Sequence, residues 1–276
     1  MGIEVKNLTK TYKIKRSNVN EVSKNFGTRK YSLMTAVNNI SFTIPSGDIV
    51  GFIGANGAGK STTIKMMTGI LTPDHGTISI DGLNFKKNHK QIMLKIGVVF
   101  GQRSVLCWDI PVIESFKLFK DMYHIPEKAY RENIAIFSDI LNLSEFIDKP
   151  PRLLSLGQRM KADLAAALLH NPEILFLDEP TIGIDVLAKA KIRDFIQKMN
   201  QERHTTIILT THDISDIEAL CSKMIIIDKG TLLYNGTLQE LKNSYRNSYQ
   251  AELYQYTSIE NNLKSIIKKI YEGDFL

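Results

Sequence analysis

Residues 49–61 have the sequence Ile49-Val50-Gly51-Phe52-Ile53-Gly54-Ala55-Asn56-Gly57-Ala58-Gly59-Lys60-Ser61. The first five residues predict a buried strand, the glycines that follow predict a tight loop, and a helix is expected from about Lys60 to Gly69. Gly54 to Ser61 match the phosphate-binding P-loop pattern, in which backbone N–H groups and the positive end of a helix face an anion. A strand, loop and helix in this order predict an α/β fold with a nucleotide site at a strand end.

The residues of this loop have separate expected tasks. Lys60 is placed to reach the β- and γ-phosphates of a nucleotide, and the Ser61 hydroxyl can bind Mg²⁺. The predicted nucleotide-binding set is Gly54, Ala55, Asn56, Gly57, Ala58, Gly59, Lys60, Ser61 and Thr62.

Polar residues end two further apolar strands, Ile174 to Leu177 and Thr206 to Leu209. Because parallel strands deliver their carboxyl ends to one edge of a sheet, we expect these residues to lie beside the phosphates. Asp178 is predicted to hold Mg²⁺ through water, and Glu179 to orient or deprotonate the attacking water. At the end of the second strand, a neutral His212 could hydrogen-bond a γ-phosphate oxygen and that water.

The segment from about Ile110 to Asn171 has helical rather than strand spacing. Within it, Leu154-Ser155-Leu156-Gly157-Gln158 begins a long helix that is expected to end near His170. Ser155 and Gln158 have the spacing of a capping box, and this helix N-terminus is also a second candidate anion site. Further on, Met224 to Asp228 and Thr231 to Tyr234 predict a hairpin, with another turn at Asn235-Gly236.

The composition is that of a soluble globular protein, with 43% hydrophobic and 23% charged residues in 276, which excludes disordered and disulfide-stapled classes. The longest apolar run, Leu164 to Leu169, is far shorter than the roughly 20 residues of a spanning helix, so we expect no membrane crossing.

The net charge is +6, and residues 13–30 carry six basic residues against Glu21. Such an insert fits a solvated loop, an anionic membrane surface or a partner protein.

Taken together, the motifs resemble the nucleotide-binding subunit of an ABC transporter. The residues that carry the resemblance, in order, are Gly54 to Ser61, Gln102, Leu154 to Gln158, Leu175 to Glu179, Gly183-Ile184-Asp185 and His212. The resemblance implies an ABC-type ATPase core with a helical subdomain and an N-terminal antiparallel β region. It divides the chain into an ABC domain (1–240, with a helical subdomain at about 103–160 and the basic insert at about 13–30) and a C-terminal extension (241–276).

The resemblance also implies how the site residues act. Two subunits, identical or paired, would pack head to tail, so that ATP and Mg²⁺ on one P-loop meet the signature residues Ser155, Gly157 and Gln158 of the other. Asp185 would sense that interface, and Gln102 would contact Mg²⁺ and the attacking water.

An aromatic residue that stacks on adenine is also implied. Tyr12 matches the local context and is favoured, whereas Tyr31 matches the usual distance ahead of the P-loop.

In function, the resemblance implies an ATP-hydrolysing subunit that drives a separate multi-span permease from the cytoplasmic face of the cell membrane. Val99 to Arg103 and Trp108 to Pro111 look most like the exporter-type branch, and the permease would dock near Arg103 to Ile113. No direct nucleic-acid contact is expected. The alternative is a soluble ABC-type ATPase of nucleic-acid or metal-cluster machinery. The single P-loop and the absence of sustained heptad repeats in the sequence argue against it. A P-loop kinase would leave Leu154 to Gln158 unexplained.

Overall fold

The computed structural model describes residues 2–15, 31–101, 103–211 and 213–248. The strands within these residues are β1 Gly2–Lys15, β2 Tyr31–Pro45, β3 Ile49–Ile53, β4 His75–Ile80, β5 Leu83–Asn84, β6 Ile96–Phe100, β7 Ile174–Asp178, β8 Thr206–Thr210, β9 Lys223–Asp228 and β10 Thr231–Thr237. The helices are α1 Lys60–Met67, α2 His89–Met93, α3 Val112–Met122, α4 Glu127–Leu141, α5 Leu156–Leu168, α6 Val186–Arg203, α7 Ile214–Leu220 and α8 Leu238–Ser248.

The strands form two sheets. The central six-stranded sheet has the order β10-β9-β3-β8-β7-β6, and all its neighbouring pairs are parallel except β10 with β9. A second sheet, of order β2-β1-β4-β5, is antiparallel throughout. The predicted α/β class with an N-terminal antiparallel region is therefore confirmed.

The central sheet is covered on both faces, which explains why its strands are apolar without interruption. Side chains alternate between faces along a strand. On β3, Val50 and Phe52 lie in a core shared with the antiparallel sheet and α1, whereas Ile49 and Ile53 lie in a core shared with the helices. The same alternation continues along β7, β8 and β9.

The helical segment predicted after β6 packs on the second of these cores. Phe116 of α3, Phe137 of α4 and Leu164 of α5 are fully buried there. Residues 112–168, all described by the structure, contain helices and two 3₁₀ turns but no strand. The helical spacing of the sequence is thus confirmed.

The structure overturns one predicted turn and shows which elements lie at two predicted domain limits; those limits stay predictions. Residues 13–15 are the last part of β1, paired with residues 31–33 of β2, so the described part of the basic insert is strand; residues 16–30 lie outside the described chain. The predicted turn at Asn235-Gly236 is wrong, because both residues pair with β9 and β10 continues to Thr237. The division at 240/241 falls inside α8, whose Leu241 is buried in the helical core; residues 249–276 are again outside the description.

Candidate functional site

The P-loop connects β3 to α1, where the sequence predicted it. Gly57 and Gly59 have φ angles of +84° and +105°, a region that glycine enters without steric cost. At Gly59 space is also limiting, because a Cβ there would stand 2.5 Å from the Ala36 carbonyl oxygen of β2. The loop curls through a hydrogen bond from Ala58 N to the Ala55 oxygen at 3.0 Å and ends at Lys60, the first residue of α1.

Lys60 is buried, and its ammonium folds back over the loop. Its Nζ donates to the carbonyl oxygens of Gly54 and Ala55 at 2.5 and 3.2 Å. Burial lowers the pKa of Lys60, and the negative charges of Glu179 and Asp178 oppose that shift. The Lys60 ammonium is therefore close enough to Asp178 and Glu179 for their charges to attract it.

Asp178 and Glu179 stand at the carboxyl end of β7, next to the end of β8. The Thr210 hydroxyl donates to Asp178 Oδ1 at 2.6 Å, and Glu179 N donates to Thr210 Oγ1 and to the Thr210 carbonyl, each at 3.0 Å. Glu179 has a φ of +55°, which non-glycine residues seldom adopt and which is held here by these bonds. Thr210 was not among the predicted site residues; a hydroxyl ending the strand next to the acids was the available signal.

A cleft of about 400 Å³ opens between α1 and the ends of β6 and β7. Its lining residues are Ser61, Lys65, Ile70, Phe100, Gly101, Arg103, Asp178 and Glu179. The structure thus brings Ser61 of the P-loop together with both acids. Glu179 also borders a second cleft, of about 350 Å³, which extends to Thr211 and Asp213.

The donor set of the first cleft fits Mg²⁺. Ser61 and Asp178 offer a hydroxyl and a carboxylate, the oxygen ligands that Mg²⁺ prefers, and Mg²⁺ commonly takes its other ligands from phosphate and water. Over the residues that the structure describes, no cluster of three or more His, Cys, Asp or Glu side chains could hold a metal ion. This set therefore suits an ion that arrives with a nucleotide.

The signature segment forms the predicted capping box at the start of α5. Gln158 N donates to Ser155 Oγ at 3.2 Å, and Ser155 N donates to Gln158 Oε1 at 3.1 Å. A Cβ at Gly157 would lie 3.5 Å from the Ala188 side chain and 3.7 Å from that of Ile184. The signature segment is therefore adjacent to the start of α6 and does not line the first cleft of its own chain.

Asp185 is the N-cap of α6, since its Oδ1 accepts from Ala188 N at 2.9 Å. The two residues that follow, Val186 and Leu187, leave 82% and 80% of their surface exposed.

Asp216 of α7 is a fully buried carboxylate that the sequence interpretation missed. It accepts from Thr181 Oγ1 at 2.5 Å, from Thr211 Oγ1 at 3.0 Å and from Arg193 Nε at 2.6 Å. One side chain thereby joins the loop after Glu179, the end of β8 and helix α6. An acid on the buried face of a short helix is a weak signal in sequence, because its partners are spread over 35 residues.

A neighbouring ion pair joins helix α6 to Asp213, the residue that precedes α7. Lys189 Nζ contacts Asp213 Oδ2 at 2.6 Å. Partial burial works to raise the pKa of Asp213, but hydrogen bonds from Lys189 and Ser215 outweigh it and lower the pKa to about 2. His212 itself, like Gln102, lies outside the described residues.

Neither candidate for adenine stacking lines the two clefts. Tyr12 is a partly buried residue of β1 paired with Met34, and Tyr31 is half exposed at the start of β2, paired with Lys15. The choice between them stays a prediction.

Comparisons with known proteins agree with this geometry. The family model described as ABC transporter matches residues 37–182, slightly more than half of the chain. The chain is 33% identical over 217 residues to the ABC transporter ATP-binding protein NatA of Bacillus subtilis, covering 79% of this chain and 88% of NatA. It is 34% identical to the bacitracin transport ATP-binding protein BcrA of Bacillus licheniformis, covering 82% and 72%.

Among solved structures, the ATP-binding cassette MJ0796, a dimer bound to ADP and Pi, superimposes with a TM-score of 0.71 and 26% identity, covering 86% of this chain and 98% of that one. A P-loop, a strand-end acid pair and a capped signature helix thus occur in a chain whose sequence matches ABC proteins over most of its length. The chain belongs to the ABC transporter family of ATP-binding proteins.

Proposed function

We propose that this chain binds and hydrolyses ATP, pairs with a second ATPase subunit when ATP is bound, and drives a separate membrane permease, in the direction of export. The observation that carries the proposal is the convergence of Ser61, Asp178 and Glu179 on one cleft beside the Lys60 ammonium. A kinase would use the same cradle, but it would give no task to the capped signature helix.

In binding, the P-loop amides and the N-terminus of α1 face the phosphates. Lys60 exchanges the carbonyl oxygens of Gly54 and Ala55 for phosphate oxygens, which are stronger, charged acceptors. Ser61 and Asp178 would hold Mg²⁺, which when bound neutralises developing charge on the phosphates.

In hydrolysis, a water oxygen bonds to the γ-phosphorus, the bond to the leaving ADP oxygen breaks, and the water proton passes to the Glu179 carboxylate. Thr210 supports this step because it bonds both the Asp178 carboxylate and the backbone N–H of Glu179, and so fixes the first carboxylate relative to the backbone that carries the second. We assign the orientation of the water to Gln102 and a γ-phosphate contact to His212.

The position of the signature helix supports pairing. Ser155, Gly157 and Gln158 lie away from the cleft of their own chain, so the helix tip is available to a nucleotide on a second copy. The Ser155 hydroxyl accepts one bond within the capping box and keeps its hydrogen for donation. The exposed Val186 and Leu187 beside Asp185 would be covered in such a dimer.

A permease partner is supported by the relatives and by the helical segment. Among the described residues, no helix is both long enough and apolar enough to span a bilayer. BcrA is a bacitracin transport protein, and the similar LnrL of Bacillus subtilis, 33% identical, is a linearmycin resistance protein. Both names favour export and give no support to the soluble alternative. Exposed Trp108 and Ile110 offer a docking surface within residues 103–113.

The decisive experiment replaces Glu179 by Gln. We expect ATP affinity to be kept, turnover to fall at least about 100-fold, and ATP-bound dimers to accumulate in Mg·ATP, measured by steady-state ATPase assay and light scattering. Glu132→Gln is the matched control, because its side chain lies on the exposed face of α4 with 60% of its surface accessible. Unchanged turnover in Glu179→Gln would remove this residue as the base. Persistently monomeric material in saturating Mg·ATP would contradict the pairing.

A further inference from the structure

Asp163 is the one charged side chain in the buried stretch 162–168 of α5. Only 4% of the residue is exposed. A carboxylate at such a position is costly unless it is hydrogen-bonded. Its Oδ1 accepts from the Ser104 hydroxyl at 2.8 Å and from Val105 N at 2.9 Å. Asp163 therefore fastens the loop after β6 to α5.

The residues just before that loop belong to the nucleotide cleft. Gly101 N donates to the Asp178 carbonyl at 2.8 Å, and Arg103 N donates to the Phe100 carbonyl at 3.0 Å. Phe100, Gly101 and Arg103 all line the cleft. Gly101 and Arg103 of the cleft wall are thus bonded to the strand ends of the sheet, while the next residue, Ser104, is bonded to the helix.

The far end of the same helix is the signature tip. Ser155 lies eight residues before Asp163, about 12 Å along a helix with a rise of 1.5 Å per residue. Since a short α-helix moves as a rigid rod, a displacement of Ser104 that Asp163 follows is passed to Ser155.

We propose that Asp163 is a positioning residue that couples the wall of the nucleotide cleft to the signature tip of α5. The inference rests on the proposed function, in which the cleft holds one nucleotide and Ser155 contacts another. Asp163 touches neither nucleotide. It determines whether a change at Arg103 in one site reaches the helix tip that serves the other site.

The test compares Asp163→Ala with Asp163→Asn in the full chain. Alanine removes the acceptor for Ser104 and Val105, whereas the Asn side-chain oxygen still accepts from both. We expect kcat for ATP to fall about tenfold in Asp163→Ala and to recover to within about twofold in Asp163→Asn. The Kd for ATP, measured on Glu179→Gln backgrounds to prevent turnover, should change less than about twofold.

The matched control is Ser115→Ala. The Ser115 hydroxyl accepts from Cys107 N at 3.1 Å and so fastens the same loop to α3 instead of α5. If anchoring to α5 is what matters, this variant keeps kcat within about twofold of wild type. An equal loss of kcat in Ser115→Ala and Asp163→Ala would overturn the coupling, since general loosening of the loop would explain both.

Two further outcomes would also overturn it: normal kcat in Asp163→Ala, or failure of Asp163→Asn to recover activity. If Asp163→Ala does not fold, Ser104→Ala removes one of the same hydrogen bonds from the loop side. A lowered kcat in Ser104→Ala would then support the coupling, and a normal kcat would overturn it. Failure of the proposed function itself is seen separately, because the wild-type chain would then show no Glu179-dependent ATPase.

Discussion

Replacing Asp163 by Asn should change how the stability of the protein depends on pH. Burial raises the pKa of Asp163 from 3.8 to about 6, against the opposing effects of the Ser104 and Val105 hydrogen bonds and the Arg159 charge. A shift of this size corresponds to about 3 kcal/mol between the two protonation states. The group is almost fully enclosed, so solvent screening reduces this figure little.

The direction of this pH effect on stability follows from which state binds the Asp163 proton more tightly. The folded state holds the Asp163 proton more tightly than the unfolded chain does. The stability that this protonated carboxyl adds is therefore fully present only below the unfolded pKa of 3.8 and is lost as the pH rises through about 6. Asn carries no proton to lose. The free energy of unfolding of Asp163→Asn relative to wild type should therefore rise by about 2 kcal/mol between about pH 4 and about pH 7.

The assay is urea unfolding followed by circular dichroism, on both proteins, across this pH range. Asp213, whose pKa is lowered, alters stability in the opposite direction, but it is present in both proteins and cancels in their difference. The control is Asp139→Asn, the same replacement at an exposed position of α4. Parallel curves for wild type and Asp163→Asn would refute the reasoning, because they would mean that the buried carboxyl titrates as it does in the unfolded chain.

Three further outcomes are expected. Lys60→Ala should weaken ATP binding at least about 100-fold in a fluorescence titration, because it removes the buried cation; retained tight binding would contradict the P-loop assignment. Asp216→Ala should lower the free energy of unfolding by about 3–5 kcal/mol, since it leaves Arg193 without its main partner; a loss below about 1 kcal/mol would contradict the interpretation of Asp216 as a buried, paired charge. Of Tyr12→Ala and Tyr31→Ala, the former should weaken ATP binding, and equal unchanged affinities would remove both residues from the site.

The local parts of the site were predictable from sequence because their signals are local. The strand, loop and helix around the P-loop need only glycines that allow positive φ and an apolar run before them. The capping box needs only Ser155 and Gln158 at the right spacing, and both of its hydrogen bonds are present. The acid pair ends a strand whose apolar residues are buried on both faces.

The remaining features depend on contacts between distant segments, which spacing does not reveal. Asn235-Gly236 has the composition of a turn, but pairing with β9 keeps it in a strand. Asp is a residue type usually found at the surface, and only the packing of the loop at Ser104 against α5 shows that Asp163 is buried. The positive φ of Glu179 likewise depends on Thr210 from the neighbouring strand.

Under the proposed function, the hydrogen bonds to Asp216 link the segment that follows Glu179 to the helix whose N-terminus would meet a second copy. Thr181 lies two residues after Glu179, and Arg193 belongs to the helix that Asp185 caps, yet both bond the same buried carboxylate. Separating either one would leave a desolvated charge or hydroxyl unpaired, at a cost of several kcal/mol. The loop after Glu179 and helix α6 are therefore held to each other through Asp216, and we expect a displacement of α6 to shift this loop as well.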